Sequence, residues 1–265
     1  LRRLRAGHDV CLFVEGDRTY DGCTMHIAPS AAHLAQLSGK PLVLYRLHGF
    51  YLSHPRWALT RRRGRIRGEC AQHLSAEQLR GLSRGQIYDL IRGSLELDAY
   101  AEQEREHIAY RGKRLAEDLE TALFLCPACG EPGKLRSSGD RFNCACGLDL
   151  RYDEYGYFRC PDGSPAPFAT VRDWYRWQRE KMQEIAAQSA NCMPQSSAAL
   201  FGDAGQRIYR GLPGGDLDYL GLGRVALYAD RLQIDLEQGE RLLFPLAELA
   251  DIACEAQMLL SFLSA

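Results

Sequence analysis

Two closely spaced cysteine pairs constrain this chain more than any other feature: Cys126-Pro127-Ala128-Cys129-Gly130 and Cys144-Ala145-Cys146-Gly147. A glycine follows each pair, and a short polar stretch containing Ser137, Ser138 and Gly139 separates them. This is the layout of a zinc ribbon, in which two tight knuckles turn four thiolates onto one tetrahedral ion. The second pair has one intervening residue where two are usual, and Cys160 stands as a substitute ligand should geometry exclude Cys144 or Cys146. Four thiolates leave no coordination position for water, so the expected zinc is structural and lends folding energy to a module with little core of its own. Leu148, Leu150, Tyr152, Tyr155, Tyr157 and Phe158 alternate in part and supply the ribbon's final strands.

Disulfide bonding is the competing use of these thiols. The ten cysteines include the scattered Cys11, Cys23, Cys70, Cys192 and Cys254, which lack the density of a secreted disulfide scaffold. A reduced, cytoplasmic protein with one metal site is expected, with Cys11 and Cys254 as small buried hydrophobes. The chain has 265 residues, 46% of them hydrophobic and 25% charged, enough for one or two ordinary globular domains. A net charge of -1 gives no global attraction to polyanions, and no nucleic-acid partner is expected. Locally, Arg56, Arg61, Arg62, Arg63, Arg65 and Arg67 crowd around Trp57 and Leu59, a basic patch suited to anionic membrane surfaces; a solvated loop and an RNA-binding patch are the alternatives. No apolar run reaches the roughly 18 to 20 residues that span a bilayer, so a soluble or peripheral protein is expected.

Near the start, Leu12-Phe13-Val14 reads as a buried strand ending on Glu15-Gly16-Asp17-Arg18-Thr19, which places polar chemistry where open α/β sheets keep their ligands. Asp21-Gly22 signals a turn, and Pro29 opens a helix with Ala31, Ala32, Leu34, Ala35 and Leu37 on one face. Ser38-Gly39 closes it, and Leu42-Val43-Leu44-Tyr45 forms a second strand, giving a βαβ-like unit.

Glu15-Gly16-Asp17-Arg18-Thr19, the small-residue helix and Gly39-Lys40-Pro41-Leu42-Val43-Leu44 resemble the third and fourth sequence blocks of the glycerolipid acyltransferases, which include 1-acylglycerol-3-phosphate acyltransferase. Val14, Asp17 and Tyr45 depart from the proline, threonine and proline of those blocks. Leu44-Tyr45-Arg46, Ser53-His54-Pro55-Arg56-Trp57-Ala58, Arg62-Arg63-Gly64 and the cysteine motif resemble a bacterial branch of the family. The resemblance implies that Glu15, Gly16 and Arg18 bind substrate. Arg18 would grip the phosphate of a lysophospholipid acceptor, Gly16 would permit close approach, and Glu15 would orient Arg18 or a backbone amide. It implies an acyl-CoA or acyl carrier protein donor, and work at the cytoplasmic face of the membrane. The family's catalytic histidine precedes an aspartate by five positions, and none of the seven histidines here has aspartate there; beyond His8, His26 and His33 stand Phe13, Ala31 and Ser38. The chain is therefore expected to be a fragment, inactive alone, with no catalytic residue of its own.

The fold class expected is α/β: the C-terminal part of an acyltransferase domain with a helical extension over residues 1–124, the ribbon over 125–160, a linker and helix over 161–200, and an incomplete antiparallel β module over 201–265. Ile87, Leu90, Ile91, Leu95 and Leu97, followed by Tyr100 and the charged run from Glu102 to His107, read as amphipathic helix, and so does Arg114 to Phe124. Val171 to Ala187 is a helix, Asn191 through Ser197 a loop, and Val225–Tyr228, Leu232–Leu236 and Leu242–Phe244 are strands separated by Ala229-Asp230 and Gln238-Gly239 turns. This last module has weak pleckstrin-homology-like character. A non-catalytic zinc-ribbon adaptor with a degenerate α/β scaffold is the alternative function.

Overall fold

A single basic turn, α1 (Arg2–Arg5), precedes residues 6–29, which form no regular helix or strand. The computed structural model describes residues 1–191, 199–212, 215–255 and 259–264 and divides into two units, 1–178 and 179–265. The buried strand expected at Leu12–Val14 is absent. Leu12 is 54% and Phe13 80% exposed, and only Val14 packs against a core cluster. A buried strand needs a hydrogen-bonded neighbour, and among the described residues none pairs with this segment. The βαβ-like unit therefore reduces to its helix, α2 (Ser30–Ser38), and its second strand, β1 (Leu42–His48).

α2 is bounded as its sequence dictates, with Pro29 at the N-cap and Gly39 left-handed at the C-cap. β1 pairs antiparallel with β2 (Arg67–Leu74), from Leu42 opposite Leu74 to His48 opposite Arg67, and the short α3 (Phe50–Ser53) lies between them in sequence. Strand alternation turns Leu44 and His48 inward and leaves Val43, Tyr45 and Leu47 exposed. Two capping boxes, Ser75 with Gln78 and Ser83 with Gln86, start α4 (Ala76–Arg80) and α5 (Arg84–Leu95). Ile27, Ala32, Leu44, Leu74, Leu79, Ile87 and Ile91 close a core between these helices and the two-stranded sheet. The helix then breaks, and Asp98 starts α6 (Ala99–Glu106) by accepting from the amides of Tyr100 and Ala101 at 2.9 and 3.1 Å.

The helix expected over Arg114–Phe124 is replaced by turns and one 3₁₀ turn, Leu119–Thr121. Arg114 and Asp118 take positive φ, and the segment's amides turn to a neighbouring hairpin: Leu115 to the Asp140 carboxylate, Ala116 to the Gly139 carbonyl and Asp118 to Ser137 Oγ. Its apolar side chains Leu115, Leu119, Ala122 and Leu123 are nonetheless all buried. β3 (Leu135–Ser138), β4 (Arg141–Cys144), β5 (Asp149–Tyr152) and β6 (Phe158–Arg159) form an antiparallel sheet in chain order. Leu135, Phe142, Leu150, Tyr152 and Phe158 share one cluster with Leu52, Trp57, Tyr100 and Tyr110 from the preceding segments, and with Val171 and Trp174 of α7 (Val171–Asn191). The modules expected to divide at residues 124 and 160 thus share a core that extends to Gln178. That side chain accepts from the Phe124 amide at 3.1 Å and donates to the Ala122 carbonyl at 2.6 Å.

In the second unit, β7 (Phe201–Gly211), β8 (Leu217–Leu227), β9 (Arg231–Leu236) and β10 (Arg241–Pro245) make an antiparallel meander, and β11 (Leu249–Glu255) pairs with β12 (Leu259–Ser264). The turns at Ala229-Asp230 and Gln238-Gly239 fall between these strands as expected. Ile208, Ile234 and Leu236, with Leu220, Val225, Leu242 and Phe244, form a small core. The loop expected beyond Asn191, with Cys192, lies outside the described residues, as does the Cys254 side chain.

Trp174 tests the shared core. It is fully buried, contacts Phe142, Phe158 and Phe168, and donates its indole N–H to the Leu125 carbonyl at 2.9 Å. Trp174→Ala is expected to destabilise the first unit by about 3–5 kcal/mol. Urea unfolding should lose the four-stranded sheet and the segments before it in one transition, whereas two separated transitions would show independent modules.

Candidate functional site

The cysteine pairs meet as the spacing requires. Cys126, Cys129, Cys144 and Cys146 offer sulfurs that all lie within 4.8 Å of one another, and these four side chains can hold a metal ion. Each pair sits in a knuckle closed by its glycine: the Gly130 amide donates to the Cys126 carbonyl at 2.9 Å and the Gly147 amide to the Cys144 carbonyl at 3.0 Å. Both glycines have positive φ, which lets the chain reverse without a Cβ clash. The Sγ–Sγ distances of 3.7 Å for Cys126–Cys146 and 3.9 Å for Cys129–Cys144 match the edge of about 3.8 Å of a tetrahedron with sulfur about 2.3 Å from its centre. Cys160 stands outside the cluster, so the shorter Cys-x-Cys knuckle supplies both of its thiols.

Burial and exposure divide the four thiols. Burial pushes Cys126 up to about 12 and raises Cys144 as well, while the Leu148 backbone amide holds the exposed Cys146 down at about 7. Gathering four sulfurs as thiolates therefore requires a cation, whose binding releases protons. Two of the four, Cys126 and Cys144, belong to the aromatic core. Of the other cysteines, Cys11 and Cys70 are exposed; the expectation that Cys11 is buried fails because its segment forms no strand.

The Glu15–Thr19 loop carries the other expected site. Glu15 Oε2 accepts from the Met25 amide at 2.7 Å, so this carboxylate fastens the loop's exit. Gly16 has positive φ and open space around its missing Cβ. Arg18 is exposed; its amide donates to Asp17 Oδ1 at 2.7 Å, its guanidinium meets no carboxylate among the described residues, and its Nη1 lies 3.1 Å from His54 Nδ1 and 3.4 Å from the His54 carbonyl oxygen. Arg56 binds the loop beneath, pairing with Asp17 at 2.5 Å, donating to the Arg18 carbonyl at 3.0 Å and lying over the Tyr20 ring. His54 and Arg56 are 36 and 38 positions from Arg18 in sequence. No local motif links them to the loop, and only the fold brings them there. None of three surface cavities is lined by Arg18; the smallest, about 20 Å³, has room for one water and lies beside His48, Glu102 and Arg65.

The expected basic patch is largely dismantled. Trp57 is fully buried and so is no surface anchor, and Arg62 is buried with it. The Arg62 guanidinium stacks over Trp57 and Tyr152 at 4.9 and 5.3 Å and donates to the Leu115 carbonyl at 2.6 Å. Arg65 and Arg67 pair with Glu106, and Arg67 also with Glu69. Arg61 and Arg63 meet no carboxylate among the described residues, and Leu59 is 75% exposed beside them in sequence.

The chain matches no protein-family model, no curated protein and no solved structure. No helix among the described residues is long and apolar enough to cross a membrane.

A tetrathiolate site should bind about one metal ion per chain. Cys144→Ser is expected to abolish stoichiometric binding, measured by elemental analysis of protein prepared under reducing conditions. Because Cys144 is a core residue, near-UV circular dichroism should collapse with it. Full metal content in that variant would exclude Cys144 as a ligand.

Proposed function

We propose that the chain carries the C-terminal part of a glycerolipid acyltransferase domain, stiffened by a structural zinc at Cys126, Cys129, Cys144 and Cys146. The reaction proposed moves a fatty acyl group from acyl-CoA or acyl carrier protein to the free hydroxyl of a lysophospholipid such as 1-acylglycerol-3-phosphate. The hydroxyl oxygen attacks the thioester carbonyl, a C–O bond forms, the C–S bond breaks and the thiol leaves. The family resemblance implies a histidine oriented by an aspartate as general base, and none of the seven histidines of this chain has aspartate at that spacing. This chain's own part is to hold the acceptor's phosphate.

One observation carries the reading. Arg18, at the family-like position in Glu15-Gly16-Asp17-Arg18, is exposed, and its guanidinium meets no carboxylate among the described residues, on a loop tied down by Glu15, Arg56 and His54. A delocalised, always-charged guanidinium on a fixed loop suits a phosphate monoester. The Glu15 carboxylate, engaged with the Met25 amide, serves the loop and not the anionic substrate. Exposed Leu12 and Phe13, next to this loop in sequence, and Leu59 with Arg61 and Arg63 are proposed to touch the cytoplasmic face of an anionic membrane.

Two features favour the second reading, a non-catalytic zinc-ribbon scaffold: the strand before Glu15 is unformed, and Arg18 lines none of the three cavities described above. Acyl transfer to 1-acylglycerol-3-phosphate by the intact protein separates the two. The first predicts activity that Arg18→Ala lowers about ten- to a hundredfold in kcat/KM, as expected when charge-assisted hydrogen bonds to the phosphate are lost; no transfer by the intact protein would leave the scaffold reading. For the membrane contact, Phe13→Asp is expected to reduce co-sedimentation with phosphatidylglycerol vesicles several-fold, and unchanged sedimentation would remove Phe13 from the interface.

A further inference from the structure

We propose that His54 is the positioning residue for Arg18, holding one arm of the guanidinium so that its opposite edge is presented to a phosphate monoester. This rests on the phosphate-binding reading of Arg18 and adds a residue to it. An arginine side chain has five N–H donors in a planar fork. The arm ending at Nη1 faces the His54 ring nitrogen at 3.1 Å and the His54 carbonyl at 3.4 Å, so His54 engages that arm. The edge formed by Nε and Nη2 remains, with two parallel N–H groups suited to a bidentate phosphate contact.

His54 is a rigid base for such a tie. Its amide donates to the Phe50 carbonyl at 3.0 Å at the end of α3, and it is followed by the buried Pro55 and by Trp57 in the aromatic core. Arg56 fastens the loop from the same segment through Asp17 and the Arg18 carbonyl. The loop is therefore held twice by residues 54–56. Holding a long side chain in place before the ligand arrives reduces the rotamer entropy lost on binding.

The tie has a chemical requirement. Nδ1 accepts only from a neutral imidazole whose proton is on Nε2. The surroundings favour that neutral form: burial first, then the Arg18, Arg61 and Arg62 cations, lower the His54 pKa below its ordinary value, against a backbone hydrogen bond at Ala58 that raises it. Asp17, the nearby acid of the loop, is paired with Arg56.

Titration of this chain with glycerol 3-phosphate at pH 8, followed by NMR, tests the inference. His54→Phe is expected to weaken binding about tenfold, and His54→Asn, whose Oδ1 stands where Nδ1 stood, to restore it to within about twofold. In an Arg18→Ala background, His54→Phe should have no further effect. If Arg18→Ala weakens binding and His54→Phe does not, the inference is overturned and the phosphate reading stands. If Arg18→Ala binds as the parent does, the phosphate reading fails and the inference with it. If His54→Asn is as weak as His54→Phe, the acceptor role is wrong. The ¹⁵N shifts of the unmodified His54 ring give a check that needs no folded variant: an unprotonated Nδ1 and protonated Nε2 are expected, and the opposite tautomer overturns the inference.

Discussion

The four-thiol cluster is the fixed point of the first unit, because two of its four cysteines are also core residues. Cys126 and Cys144 pack in the same cluster as Trp57, Tyr100, Phe142 and Trp174. A metal ion held by these cysteines would therefore do more than close a small hairpin. It would fix the ends of the knuckles whose strands hold Phe142 and Leu150 against side chains contributed from both earlier and later in the chain. Ribbon sheets of four short strands bury little by themselves, and here the surrounding segments supply the missing apolar surface.

Features governed by neighbouring residues were legible in the sequence. The cysteine knuckles, the helix between Pro29 and Gly39, the helix from Val171, and the β-meander with its turns all follow from local spacing and turn chemistry. What failed depended on distant partners. Leu12–Val14 has strand composition but no strand beside it. The Arg114–Phe124 segment has helical spacing, yet hydrogen bonds to Ser137, Gly139 and Asp140 hold it in turns while burying the same apolar residues. The arginine cluster read as one patch because composition cannot show that Arg62 stacks inside the protein or that Glu106 faces Arg65 and Arg67.

The candidate substrate site divides in the same way. Glu15, Gly16 and Arg18 were identified from a contiguous motif, whereas His54 and Arg56, which hold that motif in place, are visible only in the fold. The loop thus joins two kinds of information: a local sequence that sets its charge, and a rigid segment anchored by Trp57 that sets its geometry. The aromatic core links this segment to the four-cysteine cluster, so the loop's position depends on packing that includes Cys126 and Cys144.

Hydrogen exchange with and without bound metal tests that dependence most directly. Removing the ion with a chelator under reducing conditions should strip protection from the amides of Tyr100, Tyr110 and Trp174 as well as from residues 126–147. Loss of protection confined to residues 126–147 would contradict it and would show that the ribbon folds, and unfolds, alone.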